Sequence, residues 1–523
     1  MPTCSRLRGE RIKVFQIHPI QKISIVMNTP NITLSPQQQQ ILDRLMAFVR
    51  QDEQRVFILK GYAGTGKTTL MRFFIEELEK NRKTFRLLST TGRAAKILSN
   101  YTGNVASTIH GMVYKFKDFN KDVSDIEAEI TSVDDSGQLY LVFEATTLPK
   151  ENRTGTVYIV DEASMISDIP EVDVTQAQFG SGRLLSDLLQ YDDLKDSKFV
   201  FIGDPCQLPP ILGNISPALS PEYFSSMFHL SAQEGVLTEI LRQDNSIIAA
   251  GDYLRDLWEG APVDESLYTG RTTWGPPFYM SRFDDVHVLG NLQELERLYI
   301  DSVREKGYND AVFICNSNYK CYDTSSRVRQ ALGFVGGLQQ GELLMVVQNQ
   351  STTGLMNGDM VEVQKVSPES QRVYKQVVTP EKITTTLVFR EVEVQELFTK
   401  RKVATLMLET VLEGKMPNLD PGRQSGLFRD FIIRMNRKGI DKKKNVAEFE
   451  QAMREDPFLN ALRCNYGYAI TCHKAQGGEW NTVFIQMPRN LTANPVKSKY
   501  QWFYTALTRA KESVFVSKDF FIQ

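Results

Sequence analysis

The stretch GYAGTGKT at residues 61–68 decides how this chain folds. It fits the phosphate-loop pattern G-x-x-x-x-G-K-[S/T], follows an apolar run at Val56–Leu59 and precedes a helical pattern at Lys67–Lys80. Glycines let successive backbone N–H groups turn inward, and the helix directs its positive end at the same point. A turn that only joined a strand to a helix would not need Lys67 and Thr68 at this spacing. The stretch therefore predicts a triphosphate site.

Each position of this loop has an expected role in holding a nucleotide and a metal ion. Lys67 supplies a mobile cation, and Thr68 supplies a hydroxyl ligand for Mg²⁺. The other positions expected to line the nucleotide are Gly61, Ala63, Gly64, Thr65, Gly66 and Thr69. The predicted cofactors are ATP and Mg²⁺.

Short apolar runs alternate with helical patterns on both sides of this loop. Further buried-strand patterns lie at Phe85–Leu88, Val157–Val160 and Phe199–Ile202, and helical patterns lie at Gln38–Arg50 and Leu184–Leu189. This alternation predicts a parallel α/β sheet whose active site lies at the carboxyl ends of its strands.

A second series of apolar runs appears late in the chain, at Ala311–Cys315, Val483–Ile485 and Val514–Val516. It predicts a second α/β lobe. Residues 115–152 and 348–463 break the α/β rhythm with β-type alternation and charged helical runs, so we expect one insertion in each lobe. Within the first, Ile130–Val133 and Leu139–Phe143 predict the two strands of a hairpin around a glycine-bearing turn.

Composition limits the classes of protein that the chain can belong to. Of its 523 residues, 41% are hydrophobic, which is enough for several cores, and the net charge is −2, so any nucleic-acid site must be a local patch. The six cysteines form no C-x-x-C pair and the five histidines are scattered, which argues against a zinc or disulfide framework. No apolar stretch approaches the roughly 20 residues that span a bilayer. We expect a cytoplasmic protein with no membrane partner.

Residues 1–26 are basic, with Glu10 as their single acidic residue. Three interpretations remain open: a targeting segment, a basic arm for nucleic acid, or an extension upstream of a natural start at Met27. The expectation is an extension or a flexible tail covering residues 1–30.

Two further motifs follow predicted strands and carry side chains suited to phosphoryl transfer. Asp161 is expected to hold Mg²⁺, and Glu162 to orient and deprotonate the attacking water. Gln207 follows the run at Phe199–Ile202, and its amide can donate to a γ-phosphate while it accepts from a neighbour. A simple turn-forming role for Gln207 stays open from this stretch alone.

Seven motifs in a fixed order resemble those of the RecD/Dda-type superfamily 1 DNA helicases. The resemblance covers residues 34–243 and 464–516. The motifs are Thr90–Ala95, Ser107–His110, Asp161–Ser164, Gly203–Gln207, Leu237–Gln243, His473–Gly477 and Tyr504–Lys511.

The resemblance implies roles for further residues. Gln38 would read adenine, Glu479 would touch the ribose, and Gln207 would couple the two lobes. Arg242 and Arg509 would approach the γ-phosphate from the second lobe, where a guanidinium matches phosphate geometry. The residues implied to contact DNA are Thr90, Arg93, His110, Thr471, His473 and Lys474.

The resemblance also implies an architecture of two RecA-like parallel-sheet lobes in tandem. The first lobe is expected at 31–114 and 153–235, with a pin-like β-hairpin at 115–152 where the family splits the duplex. The second is expected at 236–347 and 464–523, with an SH3-like small barrel and a helical elaboration at 348–463. Basic residues in that elaboration leave two interpretations open, a DNA or partner contact and a solvated helical face.

The function that this family implies is an ATP-dependent DNA helicase, a monomeric motor that moves 5′ to 3′ on single-stranded DNA and unwinds duplex. Its expected partners are single strands and single/double-strand junctions, with replication or repair proteins as further candidates. Two alternatives are the motor subunit of a helicase–nuclease assembly and a non-translocating, ATP-gated DNA-binding protein.

Overall fold

A computed structural model describes residues 33–523 except 121–138, 154, 171–176, 212, 241–245, 261–277, 351, 488–495, 519–521 and 523. Within these residues the strands are β1 (Val56–Gly61), β2 (Phe85–Ser89), β3 (Ala106–Thr108), β4 (Tyr114–Phe119), β5 (Leu141–Ala145), β6 (Val157–Asp161), β7 (Ala177–Phe179), β8 (Lys198–Gly203), β9 (Ala232–Leu237), β10 (Val286–Leu289), β11 (Ala311–Cys315), β12 (Leu343–Val346), β13 (Met360–Val366), β14 (Val373–Val378), β15 (Thr384–Glu396), β16 (Lys402–Leu408), β17 (Cys464–Tyr466), β18 (Ile470–Thr471), β19 (Trp480–Ile485) and β20 (Ala510–Ser517).

The α-helices of the same residues span Pro36–Arg50, Lys67–Lys80, Gly92–Thr102, Ile109–Val113, Leu184–Tyr191, Pro221–Phe228, Ser246–Gly260, Leu292–Lys306, Asn318–Ala331, Thr410–Glu413, Pro421–Arg437, Val446–Glu455, Cys472–Ala475 and Val496–Leu507. Over the part of the chain that is described, no helix has both the length and the apolar character of a membrane span.

The first sheet contains six parallel strands in the order β3-β2-β6-β8-β1-β9. The run Val56–Leu59 in β1 is fully buried because helices cover both faces of a parallel sheet. The carboxyl ends of β1, β6 and β8 therefore bring the phosphate loop, Asp161 and Gly203 to one edge. The predicted parallel sheet is confirmed. Its edge strand β9 ends at Leu237, so the first sheet extends beyond the domain boundary expected at residue 235.

The second sheet is also parallel, with the order β10-β20-β19-β11-β18. It contains all three of the late apolar runs, as β11, β19 and β20, so the prediction of a second α/β lobe is confirmed. Strand β10 supplies one edge and the two-residue strand β18 supplies the other. The chain thus holds two parallel sheets in tandem.

An antiparallel sheet lies within the second half of the chain, in the order β14-β15-β13-β12-β17, with β16 also paired to β15. Two of its strands, β12 and β17, lie outside the predicted insertion at 348–463, so the inserted sheet begins earlier and ends later than expected. The helices Pro421–Arg437 and Val446–Glu455 match the expected helical elaboration. An SH3-like closure of this sheet stays a prediction.

Strands β4 and β5 of the first lobe's insertion form a three-stranded sheet, β4-β5-β7, with a strand that lies beyond the predicted bounds 115–152. β5 pairs antiparallel with β4 and parallel with β7, so both of its edges are occupied over Leu141–Phe143. The first predicted strand, Ile130–Val133, and the turn at 134–137 lie outside the described residues. Over the described residues β5 therefore pairs with β4 and β7, and the rest of the predicted hairpin stays a prediction.

The two insertions contact each other although they belong to different lobes. The Leu139 backbone N–H donates to Ser425 Oγ at 2.9 Å, and the rings of Phe119 and Phe428 lie 5.5 Å apart, edge to face. Lys442 forms an ion pair with Asp118. Helix Pro421–Arg437 of the second insertion thus supports the end of the first.

A buried lysine closes the carboxyl end of helix Pro36–Arg50 against the first sheet. Lys198 Nζ donates to the carbonyl oxygens of Phe48 at 2.6 Å and Gln54 at 3.2 Å, and also to that of Gln51. The carbonyls of Phe48 and Gln51 lie at the helix end, where no intrahelical donor remains, and that of Gln54 lies between the helix and β1. Burial lowers the pKa of Lys198 from 10.5 to about 8.

We expect Lys198→Met to lower the free energy of unfolding by about 1–3 kcal/mol, because it leaves buried carbonyls without a donor. The pKa of Lys198 is lower in the folded chain, so the unfolded chain binds more protons at this lysine between pH 8 and 10.5. The lysine's contribution to the free energy of unfolding is therefore fully present above pH 10.5 and is lost as pH falls through 8. Urea denaturation at pH 7.5 and pH 10 measures both effects. Lys195→Met, at an exposed position nearby, is the control; equal stability of the two variants would contradict the prediction.

Candidate nucleotide site and nucleic-acid interface

The phosphate loop is already shaped to receive an anion. Gly64 and Gly66 have φ angles of 81° and 74°, which lie in the left-handed region that favours glycine. Lys67 Nζ donates to the carbonyl oxygens of Gly61 at 2.6 Å and Tyr62 at 2.9 Å, so the ammonium lies across the loop. The loop therefore fits the triphosphate that its sequence predicts.

Gln38 supports this loop from the first helix. Its Oε1 accepts from the Ser35 backbone N–H at 3.1 Å, which closes a capping box, and its amide donates to the carbonyl oxygens of Thr65 and Gly66 at 3.3 Å each. The side chain is buried and both of its ends are engaged. The structure places Gln38 beside the loop, and its contact with adenine stays a prediction.

The two hydroxyls that follow Lys67 lie on the first turn of helix Lys67–Lys80. Thr68 is exposed there, where a metal-bound phosphate can reach it. Thr69 Oγ1 lies 3.3 Å from the Tyr101 hydroxyl. The position of Thr68 agrees with its expected role as a Mg²⁺ ligand.

Asp161 ends β6, and Glu162 follows it in a left-handed conformation, with a φ of 52°. Burial raises the pKa of Asp161, and the negative charge of Glu162 raises it further, whereas Lys67 opposes both effects. A cation held at Asp161 would relieve that cost, so the site fits Mg²⁺.

A tyrosine from the second lobe connects the phosphate loop to the strand β8 motif. The Ala63 backbone N–H donates to the Tyr504 hydroxyl at 2.9 Å, and this hydroxyl donates to Asp204 Oδ2 at 2.8 Å. Burial raises the pKa of Asp204, and the charges of Lys67 and Arg509 oppose that rise. One carboxyl group is therefore close to a cation from each lobe.

Helix Val496–Leu507 binds the backbone of the same motif. The Leu208 N–H donates to Thr505 Oγ1 at 2.9 Å, and Gln501 Nε2 donates to the carbonyl oxygens of Pro205 and Gln207 at 3.2 Å each. Gln207 itself lies at this contact between the lobes. Its predicted coupling role thus agrees with its position, although the contact is made through its backbone.

Arg509 is buried at the end of the last helix and is held by neutral acceptors. Its Nε donates to the Thr505 carbonyl at 3.0 Å, its Nη2 to Thr508 Oγ1 at 3.2 Å and its Nη1 to the Gly478 carbonyl at 3.5 Å. Among the residues that the structure describes, no carboxylate forms an ion pair with it. A cation held in this way is available to an anionic ligand.

The structure does not bring two further residues, assigned to the nucleotide by resemblance, into this cluster. Arg242 lies outside the described residues. Glu479 is exposed and lies 3.6 Å from Lys511 Nζ. Its contact with the ribose stays a prediction.

Arg93, a predicted DNA contact, lies between the lobes. Its guanidinium carbon is 4.7 Å from the centre of the Trp480 ring, and its Nη1 is buried without a hydrogen-bond partner among the described residues. Burial lowers the pKa of Arg93 to about 10, while the charge of Asp359 opposes the shift. This placement favours a role between the lobes, and its DNA contact stays a prediction.

The remaining DNA candidates of the first lobe lie beside β3 and β6. His110 packs against the rings of Tyr114 and Phe179, with centroids 5.5 and 5.2 Å away, and burial lowers its pKa. Thr90 Oγ1 lies 3.7 Å from Met165 Sδ. His110 is thus packed between two aromatic rings, and any contact with a strand must use its partly exposed edge.

The candidates of the second lobe follow β18 on the short helix Cys472–Ala475. Thr471 Oγ1 accepts from the Lys474 backbone N–H at 3.4 Å, which caps this helix. Burial lowers the pKa of both His473 and Lys474. The three residues lie together, as their motif predicts.

Several of the polar atoms that are buried without a partner lie in or next to these motifs. Among the described residues they include Ser89 Oγ, Arg93 Nη1, Ser164 Oγ, Gln207 Oε1 and Gln476 Oε1. Buried polar atoms are almost always paired, so such a concentration is typical of a place where ligand or water completes the bonding. The cleft between the lobes has this property.

The residues that sequence reasoning missed are those that join the lobes. Asp204, Gln501 and Tyr504 were given no role, although Asp204 and Tyr504 lie inside quoted motifs. The signal that could have found them is an acid and a phenol within motifs that belong to different lobes.

We expect Tyr504→Phe to lower the stimulation of ATP hydrolysis by DNA at least about fivefold, because typical coupling free energies are about 1–3 kcal/mol. The variant removes only the hydroxyl that joins Ala63 to Asp204. Steady-state hydrolysis with and without oligothymidylate measures the ratio, and Tyr374→Phe, at an exposed tyrosine, is the control. Unchanged stimulation in a folded variant would exclude this coupling role.

Comparison with known proteins agrees with the two lobes. Residues 33–265 match a family described as AAA domain, and residues 466–517 match the UvrD-like helicase C-terminal domain. Together these ranges hold more than half of the chain. The first covers the sheet of the phosphate loop, and the second covers β18, β19 and β20.

Individual relatives are more distant. The uncharacterized protein R530 of Acanthamoeba polyphaga mimivirus is 21% identical over 518 residues, covering 91% of this chain and 98% of that protein. The ATP-dependent DNA helicase dda of Enterobacteria phage T4 is 40% identical over 81 residues, which are 15% of this chain and 18% of the phage protein. A structure of Pif1 helicase from Bacteroides, in complex with ADP-AlF3 and ssDNA, is similar at 16% identity and a TM-score of 0.40, over 94% of each chain.

The seven motifs keep one order along the chain, and the two domain matches divide them between two parallel-sheet lobes that meet at the phosphate loop. In this arrangement the chain is similar to the RecD/Dda-type family of superfamily 1 helicases.

Proposed function

We propose that this chain is an ATP-dependent DNA helicase that moves along single-stranded DNA in the 5′ to 3′ direction and unwinds duplex DNA. The observation that carries the proposal is the link between the lobes at which Tyr504 joins Ala63 of the phosphate loop to Asp204. The cations nearest to Asp204 are Lys67 from one lobe and Arg509 from the other. A nucleotide bound between these cations would draw the lobes together, and hydrolysis would release them.

Each residue of the cleft has a chemical task in this cycle. Lys67 and the loop amides bind the phosphates, Glu162 accepts a proton from the attacking water, and Arg509 stabilises the charge that develops. Mg²⁺, held by Thr68 and Asp161, would neutralise phosphate charge when bound. Tyr504 and helix Val496–Leu507 then report the state of the loop to the second lobe.

The nucleic-acid track would cross both lobes. Thr90 and His110 lie on the first lobe, and Thr471, His473 and Lys474 lie on the second; these side chains suit phosphate contacts that position a strand without reading its sequence. The insertion that carries β4 and β5 would stand at the fork and keep the strands apart. The contacts with helix Pro421–Arg437 would hold this insertion in place while the strands are separated.

We expect single strands of any sequence to stimulate ATP hydrolysis strongly, because backbone contacts and stacking carry little sequence information. Affinity should fall with salt at a log–log slope of about −0.7 for each neutralised phosphate. Hydrolysis with and without oligonucleotides, followed by strand displacement on duplexes with a 5′ or a 3′ tail, tests activity and direction. Lys67→Ala supplies the inactive control.

The outcomes of this experiment separate the alternatives. Stimulation without strand displacement would favour the non-translocating, ATP-gated binding protein. Co-purification with a nuclease would favour the motor subunit of a helicase–nuclease assembly. A sequence-specific profile that does not depend on salt would exclude the track across the lobes.

A further inference from the structure

A narrow cavity of about 30 Å³ opens where the second parallel sheet meets the inserted antiparallel sheet. One wall comes from the amino-terminal turn of helix Asn318–Ala331, and another comes from β18 and Lys474. The third wall is Gly414–Pro417, a segment of the insertion that no motif includes. Two elements of different origin therefore face each other here.

The charged side chains that line this cavity are all positive. Lys415 and Lys474 both belong to it, whereas none of the described residues that line it is an aspartate or a glutamate. Neither ammonium group makes a hydrogen bond or an ion pair with the residues that the structure describes. Lys415 is exposed, and Lys474 is largely enclosed, so that burial lowers its pKa.

Several enclosed cations of the same insertion are paired with carboxylates. Arg372 binds Glu409 at 2.7 Å, and Arg434 binds Asp430 at 2.8 Å and also Asp456. An enclosed ammonium that remains unpaired costs free energy that an anion can recover. The two unpaired ammonium groups, of Lys415 and Lys474, therefore indicate a place for an anionic ligand.

The neighbouring cleft provides a comparison. It shares Tyr322, Leu412 and Tyr466 with the narrow cavity, but its lining includes Glu369, Glu409 and Glu413. Its two arginines are engaged, Arg329 with Glu342 and Arg372 with Glu409. The carboxylates of that cleft make it a poorer place for phosphate than the cavity at Lys415 and Lys474.

We propose that Lys415 and Lys474 bind phosphate groups of the single strand between them, so that the segment Gly414–Pro417 of the insertion forms part of the nucleic-acid track. The proposal rests on the proposed function. The cavity is too small for a base, and its size suits a phosphate oxygen or a water, so the nucleotide lies at its mouth with the phosphate inward. Met416, which is 56% exposed, offers an apolar surface to the base outside.

The test measures the affinity of the full chain for a fluorescein-labelled oligothymidylate by anisotropy, over a series of salt concentrations. We expect Lys415→Ala to reduce the log–log slope by about 0.7 and to weaken binding roughly fourfold at 0.15 M salt, the values for one lost phosphate contact. Lys415→Arg should keep the wild-type slope. Lys438→Ala, an exposed lysine outside the cavity, is the matched control and should bind as the wild type does.

The melting temperature of each variant shows that it is folded, and Lys415 is exposed enough for the substitution to be tolerated. A wild-type slope in Lys415→Ala, with normal binding by the parent chain, would overturn the phosphate site and leave the proposed function intact. Equal losses in Lys415→Ala and Lys438→Ala would overturn it as well, because they would reflect net charge alone. Absence of salt-dependent binding by the parent chain would instead overturn the proposed function.

Discussion

Arg509→Ala is expected to lower kcat for DNA-stimulated ATP hydrolysis by about 10³ to 10⁵, the contribution typical of an arginine that stabilises phosphoryl transfer. This factor corresponds to roughly 4 to 7 kcal/mol in the activation free energy. The guanidinium is held by the carbonyls of Thr505 and Gly478 and has no carboxylate partner among the described residues, so its charge is not already neutralised. Single-turnover hydrolysis with saturating ATP measures the chemical step.

Because Arg509 is buried, its removal can also disturb the fold, and two comparisons separate the effects. Arg509→Lys keeps a positive charge without the planar fork, and we expect it to recover only part of the rate. Arg297→Ala, at an exposed arginine of the second lobe, should behave as the wild type does. A loss smaller than tenfold in a variant with an unchanged melting temperature would show that Arg509 does not act on the transferred phosphate.

Glu162→Gln is expected to lower kcat by about 10² to 10⁴ while it retains nucleotide, because a neutral amide cannot accept a proton from the attacking water. The substitution keeps the size of the side chain, and the left-handed backbone at this position is equally accessible to glutamate and glutamine. Binding of a fluorescent ADP analogue and single-turnover hydrolysis distinguish the two quantities. Loss of binding with an unchanged chemical rate would assign Glu162 a different role.

The adjacent residue provides the matched control. Asp161→Asn should raise the Mg²⁺ concentration that gives half-maximal hydrolysis, whereas Glu162→Gln should leave this concentration unchanged. If both substitutions shift the Mg²⁺ dependence by the same amount, the two carboxylates share one task.

The central strands could be predicted because four consecutive apolar residues have few other stable environments in a soluble chain. Val56–Leu59 and Ala311–Cys315 are buried on both faces, and both appear as strands at those positions. β9 could not be predicted in the same way, because it lies at a sheet edge and its sequence includes Gln233, Glu234 and Gly235. Only the edge of an existing sheet makes that segment a strand.

Some parts of the candidate site could be predicted from short sequence patterns, and other parts depend on contacts between residues far apart in the sequence. The phosphate loop and the Asp161–Glu162 pair are local patterns, so the residues alone indicate their chemistry. The bond between Ala63 and Tyr504 joins positions 441 residues apart, and no local pattern specifies it. The enclosure of Arg93 by Trp480 depends in the same way on how the lobes meet.

The contact between the two insertions has a consequence for how such chains can diversify. Ser425 and Phe428 of one insertion fit Leu139 and Phe119 of the other, so a change of shape on one side alters the fit of its partner. We therefore expect two segments that lie far apart in the gene to change together. A chimera that takes one insertion from a relative should lose this contact, whereas a chimera that takes both should keep it.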